Sequence, residues 1–176
     1  MTKKTNTEPR ILLDCDVIIH FIKAGKQLLL PKIFPGRFVI LDKVFEELMA
    51  RPSNKIPVGN FIEYTKIDVI PIPNKIEIIK EYSRLKKIVG NGEAACMAVA
   101  RNTNDYIASS NLKDIRLYCE EYDIVYLTTM DILLEAYRLK IMSELECDNF
   151  IKEVKSKDSK LGYNIDSITA YEKTKK

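Results

Sequence analysis

Histidine occurs once in the 176 residues, at His20, so a mechanism that works through a histidine pair as acid and base is excluded. His20 lies in an apolar helical stretch and reads as a satisfied core or edge residue. No P-loop, GxSxG, HExxH or GxGxxG pattern occurs, which removes several common enzyme classes. No apolar run approaches membrane-spanning length, and the start, MTKKTNTEPR, is polar with no signal-peptide core behind it. These absences predict a cytoplasmic protein with no membrane partner. Four cysteines are present, but Cys15, Cys96, Cys119 and Cys147 lie far apart without a CxxC pair. They suggest neither a zinc site nor a disulfide framework, and read as reduced thiols, mostly core. No internal repeat or low-complexity segment is apparent.

What is present suits one domain with a sizeable core: the length, and 46% hydrophobic residues. The formal charge of +3 is too small to demonstrate a polyanion partner. Lysines gather in MTKK, in SRLKK (Ser83 to Lys87) and from KEVKSKDSK to EKTKK, and read as solvated, mobile runs.

Short apolar stretches alternate with helical patterns. ILL, FVIL, DYIASS and IVYLT read as strands, and the first lacks alternation, as in a strand buried on both faces of a parallel sheet. Asp42 can cap a helix that turns Val44, Phe45 and Leu48 inward, with Pro52 stopping it. From Ser53 to Pro73 the prolines and Gly59 predict irregular structure with one short helix around Phe61. Ile76, Ile79, Leu85 and Ile88 recur with a helical period. Gly90 to Gly92 break that helix, and Glu93 opens an Ala-rich one. A helix follows from about Lys113 to Glu121, then one with an apolar face of Ile132, Leu133, Ala136 and Leu139, then SELECDNFIKEV. The alternation predicts an α/β fold with helices on both faces of a parallel sheet.

Asp14 and Asp16 follow the first strand, where a carboxylate is costly unless paired, solvated or bound to a cation. A cap needs only one acid. Right-handed crossovers would gather Asp14, Glu93 and Asp114 at one carboxyl edge, with Glu47 in the helix after the second strand. Taken singly, each has a structural explanation as a cap, a dipole partner or a solvated acid. Taken together, clustered carboxylates repel one another, and a hard cation such as Mg²⁺ or Mn²⁺ removes that penalty. Such a site suits phosphodiester hydrolysis.

The motifs resemble those of PIN-domain nucleases, including the VapC-type toxins of toxin–antitoxin pairs. LLDCDVIIHF resembles the family's opening strand with Asp14 as first acid, and Asp16 stands where serine is more usual. VFEEL supplies Glu47, GEAACMAVA supplies Glu93, and SSNLKDI supplies Ser109, Asn111 and Asp114. Ser109 replaces the usual threonine and Ile115 the usual phenylalanine. The match spans about Ile11 to Lys140, and the region beyond resembles a less characterised branch of the family.

The resemblance implies a PIN-like three-layer α/β/α fold with a central parallel sheet of four to five strands. A disordered tail is expected over 1–10, the nuclease domain over 11–142, a helix packed on it over 143–158, and a basic polar tail over 159–176. It also implies metal-dependent endonucleolytic cleavage of RNA. Asp14, Glu93 and Asp114 would ligate Mg²⁺ or Mn²⁺, and Glu47 a second ion or its water. Ser109 and Asn111 would orient Asp114 or touch the phosphate. Asp16 is an extra outer acid or a helix cap, with the cap favoured. An antitoxin partner is consistent with the toxin reading, and a homodimer through the Ile76 to Ile88 region with the family.

Two other readings compete. LLDCDVI also resembles the first motif of haloacid-dehalogenase-type phosphatases, with Asp14 as nucleophile and Asp16 as acid/base. That family needs a late acidic pair after a strand, where only Asp131 stands, displaced from the strand end. The third reading is an inactive PIN-like binding module.

Overall fold

The computed structural model describes residues 8–175. In chain order the elements are β1 (Ile11–Leu13), α1 (Cys15–Lys23), α2 (Leu30–Ile33), β2 (Phe38–Leu41), α3 (Asp42–Ala50), α4 (Lys55–Thr65), β3 (Asp68–Ile70), α5 (Ile76–Leu85), α6 (Asn91–Arg101), β4 (Tyr106–Ala108), α7 (Leu112–Glu121), β5 (Tyr126–Leu127), α8 (Thr129–Arg138), α9 (Glu144–Ser156) and α10 (Ile168–Lys173). Among the described residues the strands form one parallel sheet in the order β3-β2-β1-β4-β5. No helix among them is long and apolar enough to cross a membrane.

Every residue of β1 and β2 is buried, as continuous apolar strands covered on both faces should be. Ile11 pairs with Phe38 on one side and with Tyr106 on the other, which makes β1 the centre of the sheet. From β1 the chain winds outward through β2 to β3, then returns to place β4 on the opposite side. The crevice between the carboxyl ends of β1 and β4 is therefore the topological switch point, where open α/β sheets bind ligands.

Helix α6 packs against α3, α5 and the strands β1, β2 and β4, and Gly92 to Ala100 are all buried. Small side chains let it come so close. A Cβ at Gly92 would stand 3.1 Å from Val44 Cα, so even alanine would push α3 and α6 apart.

Several expectations are corrected. The segment expected to be irregular around one short helix holds that helix, the 11-residue α4 with Phe61 inside it, and also the edge strand β3. Pro57 falls in the first turn of α4, where its missing N–H would lack an intrahelical partner anyway. Asp42 does not cap α3. Leu41 is the N-cap, and the Asp42 carboxylate accepts the Ile72 amide at 3.3 Å, tying α3 to the chain after β3.

On α5 the apolar period misled, because the buried face is Ile78, Glu81 and Leu85, while Ile76 and Ile79 are exposed and Ile88 stands exposed beyond the helix. Glu81 is drawn inward by three donors: Arg84 at 2.6 Å, Arg101 at 2.7 Å and the Tyr118 hydroxyl at 2.7 Å. Led by Arg84, they hold its carboxyl well below the usual range against the opposing effect of burial. Leu139, expected on the apolar face of α8, is half exposed at that helix's C-cap.

The tails are corrected too. Residues 1–7 of the expected N-terminal tail lie outside the described residues. Residues 8–10 are held: Arg10 pairs with Asp105 through bonds of 3.0 and 2.6 Å, and Arg37 bonds Glu8 and the Pro9 carbonyl. Residues 159–175 of the expected basic tail return to the body, and Lys176 lies outside the described residues. Helix α10 packs on α8 and α9 with Ile168 and Tyr171 fully buried. The Tyr171 hydroxyl donates to Asp131 at 2.8 Å, and Asp148 accepts the Ile168 amide at 2.8 Å.

If α10 belongs to the cooperative core, Tyr171→Ala should cost about 3–5 kcal/mol, as for other buried aromatic truncations. Urea unfolding of the full chain measures this. A change below about 1 kcal/mol would show that the helix frays independently.

Candidate functional site

Asp14 is the residue immediately after β1. Its amide donates to Ala108 at 2.9 Å, extending the β1–β4 ladder by one bond, and its backbone then turns into α1 as the N-cap. Its Oδ1 accepts the Cys15 amide at 2.8 Å. Only 6% of the residue is exposed. Burial, then the charge of Asp16, raises its pKa above the usual carboxylate range, while the Cys15 amide and the Ser109 hydroxyl pull it down.

Asp16 lies in the first turn of α1, and the favoured cap assignment is corrected. With Asp14 already at the N-cap, the Asp16 side chain crosses the switch point and accepts the Ser110 amide at 2.8 Å. Its Oδ1 is buried with no partner among the described residues. Burial raises its pKa, and the amides of Ser110, Val17 and Asn111 partly offset this.

Glu93 enters from the N-terminal turn of α6, also 6% exposed, with Oε1 buried and unpartnered. Burial, followed by the charges of Asp14, Asp114 and Asp16, pushes it up to about 9. Asp114, half-buried in the first turn of α7, accepts the Asn111 side-chain amide at 2.8 Å. The Asn111 backbone N–H in turn donates to Ser109 Oγ at 3.2 Å, so the loop after β4 sets the Asp114 carboxylate. Glu47 stands exposed on α3 and accepts the Gly92 amide at 2.8 Å, satisfying one free N–H of α6.

The fold thus brings Asp14, Asp16, Glu93 and Asp114 into one electrostatic group, with Glu47 at its edge and Ser109 and Asn111 beneath it. Oxygen donors, mutual repulsion and the orphaned Glu93 Oε1 suit a hard divalent cation. As placed, no three His, Cys, Asp or Glu side chains among the described residues close around an ion.

Beside the carboxylates opens a cleft of about 630 Å³. Lys23, Arg51, Lys113 and Lys160 line it, together with His20 and the acids Asp16, Glu47 and Asp158. None of the four cations pairs with a carboxylate among the described residues. One wall is the segment 158–162, of which residues 159–162 lie in the region expected to be a tail. It is clasped to α1: Lys23 Nζ donates to the Lys157 carbonyl at 2.8 Å, and Lys157 Nζ donates to the Lys23 carbonyl at 2.6 Å. Gly162, at φ +80°, lies so close to the loop after β4 that a Cβ would stand 3.1 Å from the Ser110 carbonyl. Sequence reasoning missed this wall, because the lysine-rich run from Lys152 to Lys160 that leads into it reads as solvated.

Asp131, the acid that a phosphatase reading needs, is occupied elsewhere. One oxygen closes the capping box of α8 with Thr128, and the other accepts from Tyr171 and Lys175 at 2.8 Å each. Cys96, Cys119 and Cys147 are buried and Cys15 is half-buried, all unpaired.

A family model described as PIN domain matches residues 10–161. No curated protein matches the chain.

The raised acids make stability fall with alkalinity. Their neutral forms favour the fold fully below the ordinary carboxylate range, and that contribution is lost as pH rises through the raised values, to about 9 for Glu93. In EDTA, wild-type protein should be less stable at pH 8.5 than at pH 6. Glu93→Gln should recover on the order of 3 kcal/mol at pH 8.5 and little at pH 4.5, as read by urea unfolding at each pH. A pH-independent effect of the substitution would contradict the assignment.

Proposed function

The chain belongs to the PIN-domain family, and from that premise we propose that it is an endoribonuclease dependent on Mg²⁺ or Mn²⁺. The observation that carries this reading is the group of buried and half-buried, mutually repelling carboxylates at the switch point, with Glu93 Oε1 unpartnered. A scaffold without a cation requirement gains nothing from such an arrangement.

Asp14, Glu93 and Asp114 would hold the ion, and Glu47, on the exposed side, a second ion or its water. When bound, the cation supplies Lewis-acid activation of water and neutralises charge on the phosphate. The chain's own residues then position the substrate. Asn111 and Ser109 fix the Asp114 carboxylate, and Asp16 pins the loop after β4 to α1 through the Ser110 amide. Lys23, Arg51, Lys113 and Lys160 offer positive charge to the phosphates of a single strand. A toxin role with an antitoxin partner is the finer form of the reading, supported by the motif resemblance. A homodimer is supported by the exposed Ile76 and Ile79 on α5.

The test is cleavage of a mixed single-stranded RNA pool by the purified protein with Mn²⁺ and with EDTA. Cleavage should require the metal and be abolished in Asp14→Asn. Asn111→Ala should lower the rate by about 10- to 100-fold, as expected for a residue that orients a ligand. Hydrolysis of a small phosphomonoester with no RNA cleavage would transfer the assignment to the phosphatase reading. Cleavage unaffected by EDTA would overturn the metal assignment.

A further inference from the structure

The mechanism leaves the single histidine unused. His20 is 3% exposed and lies on the wall of the cleft. Its Nδ1 lies 2.8 Å from Thr129 Oγ1, and Thr129 Oγ1 lies 2.9 Å from Ser110 Oγ. The Thr129 amide donates to Ser110 Oγ at 2.9 Å, which leaves the Ser110 hydroxyl proton for Thr129 Oγ1. The Thr129 hydroxyl proton then has the His20 Nδ1 lone pair as its acceptor. Ser110 and Thr129 are themselves buried, so each proton has to be used within the chain of bonds. Nδ1 accepts, and the ring proton sits on Nε2.

Nε2 has no partner among the described residues and is not one of the sealed, unpartnered atoms. It is open to the cleft that the ring lines. Burial and the nearby Lys23 hold the imidazole neutral, pushing it down to about 4. A neutral N–H, flanked by the apolar side chains of Ile19, Leu48 and Leu112, has little to offer a phosphate. It matches the carbonyl oxygen or ring nitrogen of a nucleobase.

We propose that this cleft is a nucleobase subsite in which His20 Nε2–H, its tautomer fixed by the Thr129–Ser110 relay, donates a hydrogen bond to a base acceptor while the surrounding cations hold the flanking phosphates. This deepens the nuclease reading and rests on it for the identity of the ligand. The relay also links base and carboxylates: Ser110 receives the Thr129 amide on one side and gives its own amide to Asp16 on the other.

Because the chain has one histidine, nitrogen-15 NMR of the imidazole gives one unambiguous pair of resonances. Spectra are recorded in EDTA, free and with short single-stranded oligouridylate, oligocytidylate and oligoadenylate, and with an abasic oligoribose phosphate of the same length. The free protein should show protonated Nε2 and unprotonated Nδ1 from pH 5.5 to 8. At least one base-bearing oligomer should move the Nε2–H resonance, and the abasic chain should not. His20→Phe should weaken binding of that oligomer about tenfold and leave abasic binding unchanged. His20→Gln, whose amide can donate from a similar position, should recover most of the loss. Thr129→Val should mix the two tautomers.

A proton on Nδ1, or an Nε2–H resonance that no base-bearing oligomer moves, overturns the proposal. If RNA is cut with the metal while Nε2 stays silent, the nuclease reading stands and this one falls. If Nε2 responds but no RNA is cut, the base subsite stands and the nuclease reading falls.

Discussion

Asp14 and Glu93 place carboxyl groups where water scarcely reaches, with Asp16 half-buried beside them, and the surrounding fold is arranged to bear the repulsion that charging them brings. Asp14 is kept in place by the β1–β4 ladder bond and the Cys15 amide, and Asp16 by the Ser110 amide. Glu93 receives least, with one oxygen left orphaned. The central position of β1 follows from the same constraint, because only the strand beside the switch point can deliver an acid between two crossovers. Glu47 reinforces the arrangement from α3 by satisfying the Gly92 amide, which keeps the turn carrying Glu93 in register.

Glu81 shows what a settled buried acid looks like in the same chain. Two arginines and a tyrosine hydroxyl surround it, and its carboxyl is held ionised. That cluster joins α5 to α6 and α7 and asks nothing of a ligand. The contrast separates structural burial of charge from burial that awaits a partner, within one electrostatic environment.

The central strands and the acids after them were legible in sequence because each carries a local signal: an unalternating apolar run, or an acid in the first turn of a helix. The parallel α/β architecture followed from their alternation. Elements set by distant partners were not legible. The inward face of α5 was misread because Glu81 is drawn in by Arg101 and Tyr118, residues 20 and 37 positions away. The cap was assigned to Asp16 because nothing near it announces that Ser110, 94 residues on, supplies its donor. Helix α10 looked like a polar run because only Ile168 and Tyr171 are fully buried, too few to raise a periodic signal.

The clasp between Lys23 and Lys157 closes a loop of 134 residues. Contacts so far apart in sequence are slow to form, since chain entropy is lost before they compensate for it. On a ribosome, all five strands and every acid of the cluster are synthesised before residues 158–162 arrive to build the cleft wall. A nascent chain therefore carries the carboxylates before the groove beside them has formed.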